Sequence, residues 1–287
     1  MTKTRSFRGK LASERPLAKP GPVSPLATKK RPPISERLRP ILPRIQLLEA
    51  CIGGFIGLVG AAMVLYPGGT HWDSSTKGHR FWENSLWDLL GRRSLSGAPN
   101  LMTSRLAEVG LLALLLALIW AFTLAPEVIP SRKRLGKQLV WLGVVAALTV
   151  CAARLLISNT VIARHPATIL MTGLPLVVAL TGMVGAILVE PKAPPALRGV
   201  SILLLILIAL SFSLHTWDVG FNGPTLRIQP GLERVANLAL IGWLMLIAKF
   251  VRYRLVEAFR FLSARRQRKA TCYDTHQRLR NQDPDHQ

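Results

Sequence analysis

The sequence predicts an all-α integral membrane protein, a six-transmembrane-helix bundle with a short interfacial helix in the first outer loop. Three observations predict it. Apolar residues make up 49% of the 287 positions, and mean hydropathy is positive at +0.30. They gather in six separate blocks, each near the roughly 20 residues a helix needs to cross about 30 Å of hydrocarbon. The charges, 37 Lys and Arg against 15 Asp and Glu, lie mostly in two tails and in the connections. Backbone embedded in lipid must satisfy its own hydrogen bonds, so each block reads as a helix.

Residues 1–46 hold twelve Lys and Arg and many prolines, among them Pro32, Pro33, Pro40 and Pro43, with few aromatic residues to seed a core. This composition predicts a disordered basic tail. The first apolar block stands behind that long basic segment, which predicts an uncleaved span rather than a signal peptide. The expected spans are 47–66, 106–124, 139–157, 167–189, 196–214 and 235–251, together a membrane domain over 47–251. Residues 252–287 then form a second basic tail. Pro67, Pro126, Pro130, Pro166, Pro191, Pro194 and Pro195 punctuate the connections, as expected where helices stop.

Orientation follows from the cations. With the N-terminus inside, 27 Lys and Arg fall on the inner side and 8 on the outer, with Arg154 and Lys249 within spans. The cluster Arg132, Lys133, Arg134 and Lys137 and the run from Arg252 to Lys269 favour the same answer, so both termini are expected in the cytoplasm. Membrane orientation accounts for the net charge of +22 without nucleic acid as a partner. Cys51 and Cys151 lie inside expected spans and Cys272 in the tail, which excludes a disulfide framework in the outer loops. In the first span Gly53, Gly57 and Ala61 recur every four residues, a small-residue face for close helix approach within the bundle or in a homo-oligomer; Gly182 and Ala186 repeat the pattern in the fourth.

The first outer loop carries the most information. Tyr66, Pro67, Gly68 and Gly69 offer a turn at the membrane surface, proline fixing one dihedral and glycine permitting positive φ. His71, Trp72 and Asp73 follow. From about His79 to Leu90 the stretch reads as a short helix with Trp82, Leu86, Leu89 and Leu90 along one stripe and Gly91 as its stop. Trp72, Trp82 and Trp87 suit the headgroup layer, so this helix is expected to lie along the outer interface or to cap the bundle. His79, Phe81, Glu83, Asn84 and Asp88 complete the candidate loop.

The Tyr66-to-Thr70 turn, the stretch from Gly78 to Phe81, the Glu83-Asn84 pair, Asp88-Leu89 and Pro99-Asn100 resemble the first loop of a group of bacterial multi-pass proteins, similar in layout to the wider DRAM/Sfk group. The resemblance covers residues 66–100, and only hydropathy extends it further. It departs from the commoner pattern at Trp87 and at Arg92-Arg93. It implies six or so helices, a bacterial plasma membrane, membrane or lipid-related roles, and no catalytic residue.

Other polar groups bear on chemistry. His71, His79, His165, His215 and Asp218 all fall on the expected outer side, where His and carboxylate could hold zinc and activate a water against a lipid ester or amide. No His-x-x-x-His or His-Glu-x-x-His spacing supports this, so no cofactor is expected and zinc stands as the alternative. Glu108 and Arg154 are expected in the outer half of the second and third spans, placed to pair across helices. The basic run after the sixth span, interleaved with Phe259, Phe261 and Leu262, suits an anionic leaflet. The expected role is a non-catalytic membrane or lipid-associated component. A metal-dependent lipid hydrolase and a small-solute transporter are the alternatives, the latter weakened by the apolar midplane stretches 113–119, 144–150 and 203–208.

Overall fold

The computed structural model describes residues 40–157, 166–220 and 228–281, excepting the side chains of 154–157, 166–172, 215–220, 262 and 265–281. Its helices are α1 (Ile41–Leu65), α2 (Leu86–Leu89), α3 (Leu101–Thr123), α4 (Ala125–Val128), α5 (Lys133–Ile157), α6 (Pro166–Leu188), α7 (Pro195–Gly220) and α8 (Gln229–Asn281). A single 3-10 turn, Pro130–Arg132, joins α4 to α5. Among the described residues there are no strands, only the isolated bridges Gly68 to Lys77 and Arg93 to Pro99.

Five of these helices are long and apolar enough to cross a membrane: Ile41–Leu65, Leu101–Thr123, Pro130–Ala153, Pro195–Leu214 and Gln229–Phe261. In α6 the described side chains form a shorter apolar stretch, Gly173–Leu188. Between 22% and 44% of each apolar window is buried inside the protein. The rest faces outward, with Val64, Trp141, Val145, Leu148 and Leu238 among the exposed residues. So much outward apolar surface needs an apolar solvent, which a bilayer supplies.

The long helices pack in a ring, α1 on α3, α3 on α5, α5 on α6, α6 on α7, α7 on α8 and α8 back on α1, with α3 and α8 also in contact. Where lipid tails are as apolar as leucine, such a ring is held by close packing and interhelical hydrogen bonds rather than by a drive to leave water. Both are visible. Trp243 of α8 is fully buried, and its indole Nε1–H donates to Ser201 Oγ of α7 at 2.9 Å. Gly143 of α5 lies against the Phe122 ring, and a Cβ there would come within 2.1 Å of it.

At the end of the ring away from residues 66–100, Glu49 of α1 pairs with Arg252 of α8 at 2.6 Å. There too the buried Glu190 accepts from Ser131 N and Oγ, at 3.2 and 2.8 Å, and so caps the 3-10 turn. Arg254 reaches the Glu127 carbonyl at 2.8 Å.

Several expectations are corrected. The first helix begins at Ile41 rather than at residue 47, because Pro43 falls in the first turn, where the missing N–H leaves no bond unmade. Residues 252–281 continue α8 as unbroken helix, so this part of the basic tail is not a separate element. The interfacial helix expected from His79 to Leu90 shrinks to Leu86–Leu89, since Ser85 adopts an extended φ,ψ of −76°, 161° that starts the helix there. Of Gly182 and Ala186, Ala186 is buried, whereas Gly182 is exposed with the Leu139 side chain of α5 beside it. A Cβ on Gly53 or Gly57 would meet no neighbour within 4 Å, and Ala61 is exposed, so this face is not a seam within the bundle.

Candidate functional site: a polar cap over an apolar groove

Residues 66–100 fold into a cap over one end of α1, α3 and α8. Its first turn depends on two glycines: Gly68 (φ 134°) and Gly69 (φ 90°) occupy conformations that side chains disfavour, and a Cβ on Gly69 would fall 2.2 Å from Ser96 N. The turn closes through Gly69 N–H to the Thr76 carbonyl at 2.8 Å and Gly78 N–H to the Pro67 carbonyl at 3.2 Å. The Tyr66 hydroxyl accepts from Leu95 N at 3.1 Å, tying the start of the cap to its end. Within it, Asp73 accepts from Ser75 N and Oγ at 2.9 and 2.6 Å, and these bonds hold its carboxyl below the usual range.

Asn84 is the internal hub. Fully buried, it donates through Nδ2 to the Gly69 carbonyl at 2.8 Å and to Asp88 Oδ2 at 3.2 Å, and accepts at Oδ1 from Arg80 N at 2.9 Å. Ser85 and Asp88 then form a reciprocal capping box on α2, with Ser85 Oγ accepting from Trp87 N and Asp88 Oδ2 from Ser85 N, each at 2.8 Å. Asp88 Oδ1 meets His71 Nε2 at 3.2 Å. At the other end of α2, the buried Asn100 donates to the Leu89 and Gly91 carbonyls, and Ser104 of α3 donates to that of Leu90 at 2.9 Å.

One residue outside the loop fastens it to the ring. Arg234, in the first turns of α8 and only 3% exposed, donates to the Asn84 carbonyl at 2.9 Å, the Phe81 carbonyl at 3.3 Å and His79 Nε2 at 3.0 Å. A guanidinium has no acceptor, so His79 Nε2 must accept and its ring proton sits on Nδ1. Burial first, and the Arg234 charge second, lower the His79 pKa to about 4 against an opposing pull from Asp88. The Arg234 guanidinium also lies 5.3 Å from the Phe81 ring centroid.

Beneath the cap lies a half-open groove lined by Phe55 and Val59 of α1, Leu86, Trp87, Leu89 and Leu90 at α2, Ala107, Leu111 and Leu114 of α3, and Glu233 and Asn237 of α8. Those last two bring a carboxyl and an amide to the lining, beside the indole of Trp87. Glu233 Oε2 accepts from Leu86 N at 3.4 Å, and Asn237 donates through Nδ2 to the Glu233 backbone carbonyl at 2.9 Å.

The structure thus brings together Tyr66, Gly68, Gly69, His79, Asn84 and Asp88, with Pro67 closing the turn. Phe81 and Trp82 stack edge to face at 4.9 Å and are exposed, and Glu83 pairs with Arg80 at the surface at 3.3 Å. Trp72 sits beside His71 with ring centroids 6.1 Å apart. Of the candidate zinc ligands, His71 and His79 engage Asp88 and Arg234, while the side chains of His165, His215 and Asp218 lie outside the described residues. Among the described residues no three His, Cys, Asp or Glu gather as a metal site. Glu108 pairs with Arg105 of its own helix at 2.9 Å, and the Arg154 side chain lies outside the described residues. Sequence reading missed Arg234 and Glu233. The available signal was an adjacent acid and base directly ahead of the last span, on the side where cations are few.

Fold and site together define an all-helical chain with five membrane-length apolar helices and a hydrogen-bonded polar cap over one end. Compared with known protein families, curated proteins and solved structures, the chain matches none.

Proposed function

We propose that the chain is a six-span protein of the bacterial inner membrane, both termini cytoplasmic, that serves as a non-catalytic, lipid-associated component. The resemblance of its first loop to DRAM/Sfk-like proteins supports this reading, as do the inner basic segments. A sixth span would be α6, whose 23 helical residues match the length needed. The cap then lies on the outer surface, with Phe81, Trp82 and Trp87 exposed at headgroup level. Anionic lipid is the expected partner of the Arg-rich continuation of α8. The outward stripe Gly53, Gly57 and Ala61 suits a second copy in the membrane.

One observation carries the reading: a buried Arg234 fixes a polar cap over an apolar groove that runs down between α1, α3 and α8. A rigid roof above an apolar cleft suits holding a lipid chain, and the two described histidines favoured for zinc are already engaged with Asp88 and Arg234. Two measurements test the reading. Single-cysteine variants Ser74→Cys and Ser6→Cys, in a background lacking the three native cysteines, are labelled on intact cells with a membrane-impermeant maleimide. Only Ser74→Cys should react; labelling of Ser6→Cys instead overturns the orientation. Native mass spectrometry of protein extracted in mild detergent should show retained phospholipid, and complete absence of lipid would overturn the lipid-associated role.

A further inference from the structure

The groove beneath the cap has the position and polarity of a site for one particular kind of molecule. Along α3 its lining runs from Ala107 to Leu114, seven residues of helix, about 10 Å at 1.5 Å per residue. That is about a third of the roughly 30 Å hydrocarbon thickness, so the groove stays within the leaflet on the cap side. It is half open, so a chain lying in it is enclosed on one side only.

The polar groups sit toward one end. Glu233 stands at the level of α2, where its carboxylate meets Leu86 N, and Asn237 is one helical turn deeper. Because Asn237 commits Nδ2 to the Glu233 backbone carbonyl, its Oδ1 remains as an acceptor. Glu233 and Asn237 therefore both offer acceptors, one of them a carboxylate, at the mouth of a cleft lined otherwise by aliphatic and aromatic side chains. The matching ligand carries hydrogen-bond donors and positive charge at its head and an apolar chain whose upper part lies in the cleft.

We propose that this groove binds an acyl chain of a phospholipid with a primary-amine headgroup, drawn from the leaflet on the cap side, with the ammonium received by Glu233 and Asn237. The cap acts as the roof: Leu86, Leu89 and Leu90 cover the upper part of the chain, and Arg234 holds the roof in place without entering the groove lining. This rests on the lipid-associated reading and narrows it to a site, a leaflet and a headgroup class.

The test places full-length protein in nanodiscs doped with one of two photoactivatable phospholipids that share a diazirine-bearing acyl chain and differ in headgroup, phosphatidylethanolamine or phosphatidylglycerol. Crosslinked peptides are mapped by mass spectrometry. Groove peptides containing Phe55 and Val59 or Leu111 and Leu114 should label about tenfold more with the amine lipid, the discrimination that one charge-assisted hydrogen bond supplies. Glu233→Gln should remove the headgroup preference while leaving chain labelling. Leu111→Trp, which fills the cleft, should remove labelling of both lipids. If Leu111→Trp lowers the melting temperature, the smaller Ala107→Leu makes the same test, and the wild-type comparison of the two lipids decides independently of either. Equal labelling by the two headgroups, or labelling unaffected by filling the cleft, overturns the proposal. Labelling confined to outward faces with lipid still retained on extraction defeats the groove alone; loss of all retained lipid defeats the lipid-associated reading as well.

Discussion

Replacing Arg234 by leucine removes three hydrogen bonds from one buried guanidinium, to the Asn84 and Phe81 carbonyls and to His79 Nε2. Each bond to a charged group contributes on the order of 1.5–3 kcal/mol. Against their sum stands the desolvation of the guanidinium, which the variant no longer suffers and which amounts to several kcal/mol. The carbonyls left behind regain water only when the cap lifts, so the closed state bears their loss. A net weakening of cap closure by about 2–4 kcal/mol follows, consistent with breaking other buried polar networks. Hydrogen exchange in nanodiscs reads this directly through the amides of Gly69, Gly78 and Asn84, bonded to the carbonyls of Thr76, Pro67 and Arg80. At about 1.4 kcal/mol per tenfold, their exchange should accelerate by roughly 30- to 700-fold. Amides in the first turns of α7, where Arg198 bonds the Glu190 carbonyl at the opposite end, should be unchanged. Arg234→Lys should fall between, since one ammonium cannot serve three acceptors in a fork. Acceleration below about threefold in Arg234→Leu would refute the view that this residue fastens the cap, because closure would then rest on the loop's own bonds.

Four further outcomes are expected. Gly69→Ala should disrupt the cap far more than Gly78→Ala: both take positive φ, but only at Gly69 does a Cβ meet backbone, at 2.2 Å from Ser96 N, so exchange across residues 66–100 separates steric clash from conformational strain, the latter about 1–2 kcal/mol. His79 titrates at about 4 in the folded cap against about 6.5 in an open chain, so the unfolded state binds more protons between those values. Cap stability should therefore be full above pH 6.5 and decline as pH falls toward 4, a dependence His79→Gln should flatten in the same exchange measurement. Ser201→Ala strands the buried Trp243 N–H and should cost about 1–3 kcal/mol of bundle stability in a detergent melt, with a matching change in tryptophan fluorescence. Glu49→Gln removes a half-exposed ion pair with Arg252 and should change stability by less than about 1 kcal/mol.

The long helices were legible because the bilayer sets one length scale, and apolar blocks of that length announce themselves regardless of partner. Their ends were not. Pro40 and Pro43 look like helix breakers, yet a first turn needs no N–H from them, so α1 starts early. In the cap, the local devices could be read: paired glycines for positive φ, and Asn84 and Asp88 as side chains able to bond backbone. Their assembly could not, because Arg234 lies about 150 positions away and reaches the loop only once α8 stands beside α1 and α3. The helix expected from His79 to Leu90 overestimated the apolar stripe, since Asn84 is drawn inward to Gly69 and Ser85 must then start a new turn. The Gly53, Gly57 and Ala61 spacing shows why a small-residue pattern identifies a smooth face without saying what meets it.

α8 is one unbroken rod from Gln229 to Asn281. It holds the cap through Arg234 near one end and meets Glu49 through Arg252 about 27 Å further along, at 1.5 Å per residue. Beyond that second contact the rod continues to Asn281 for about another 44 Å. Past Arg252 the helix is still held, with Leu255 buried and Arg254 on the Glu127 carbonyl. A single helix thus fastens both ends of the bundle, the roof through Arg234 and the opposite end through Arg252 and Arg254.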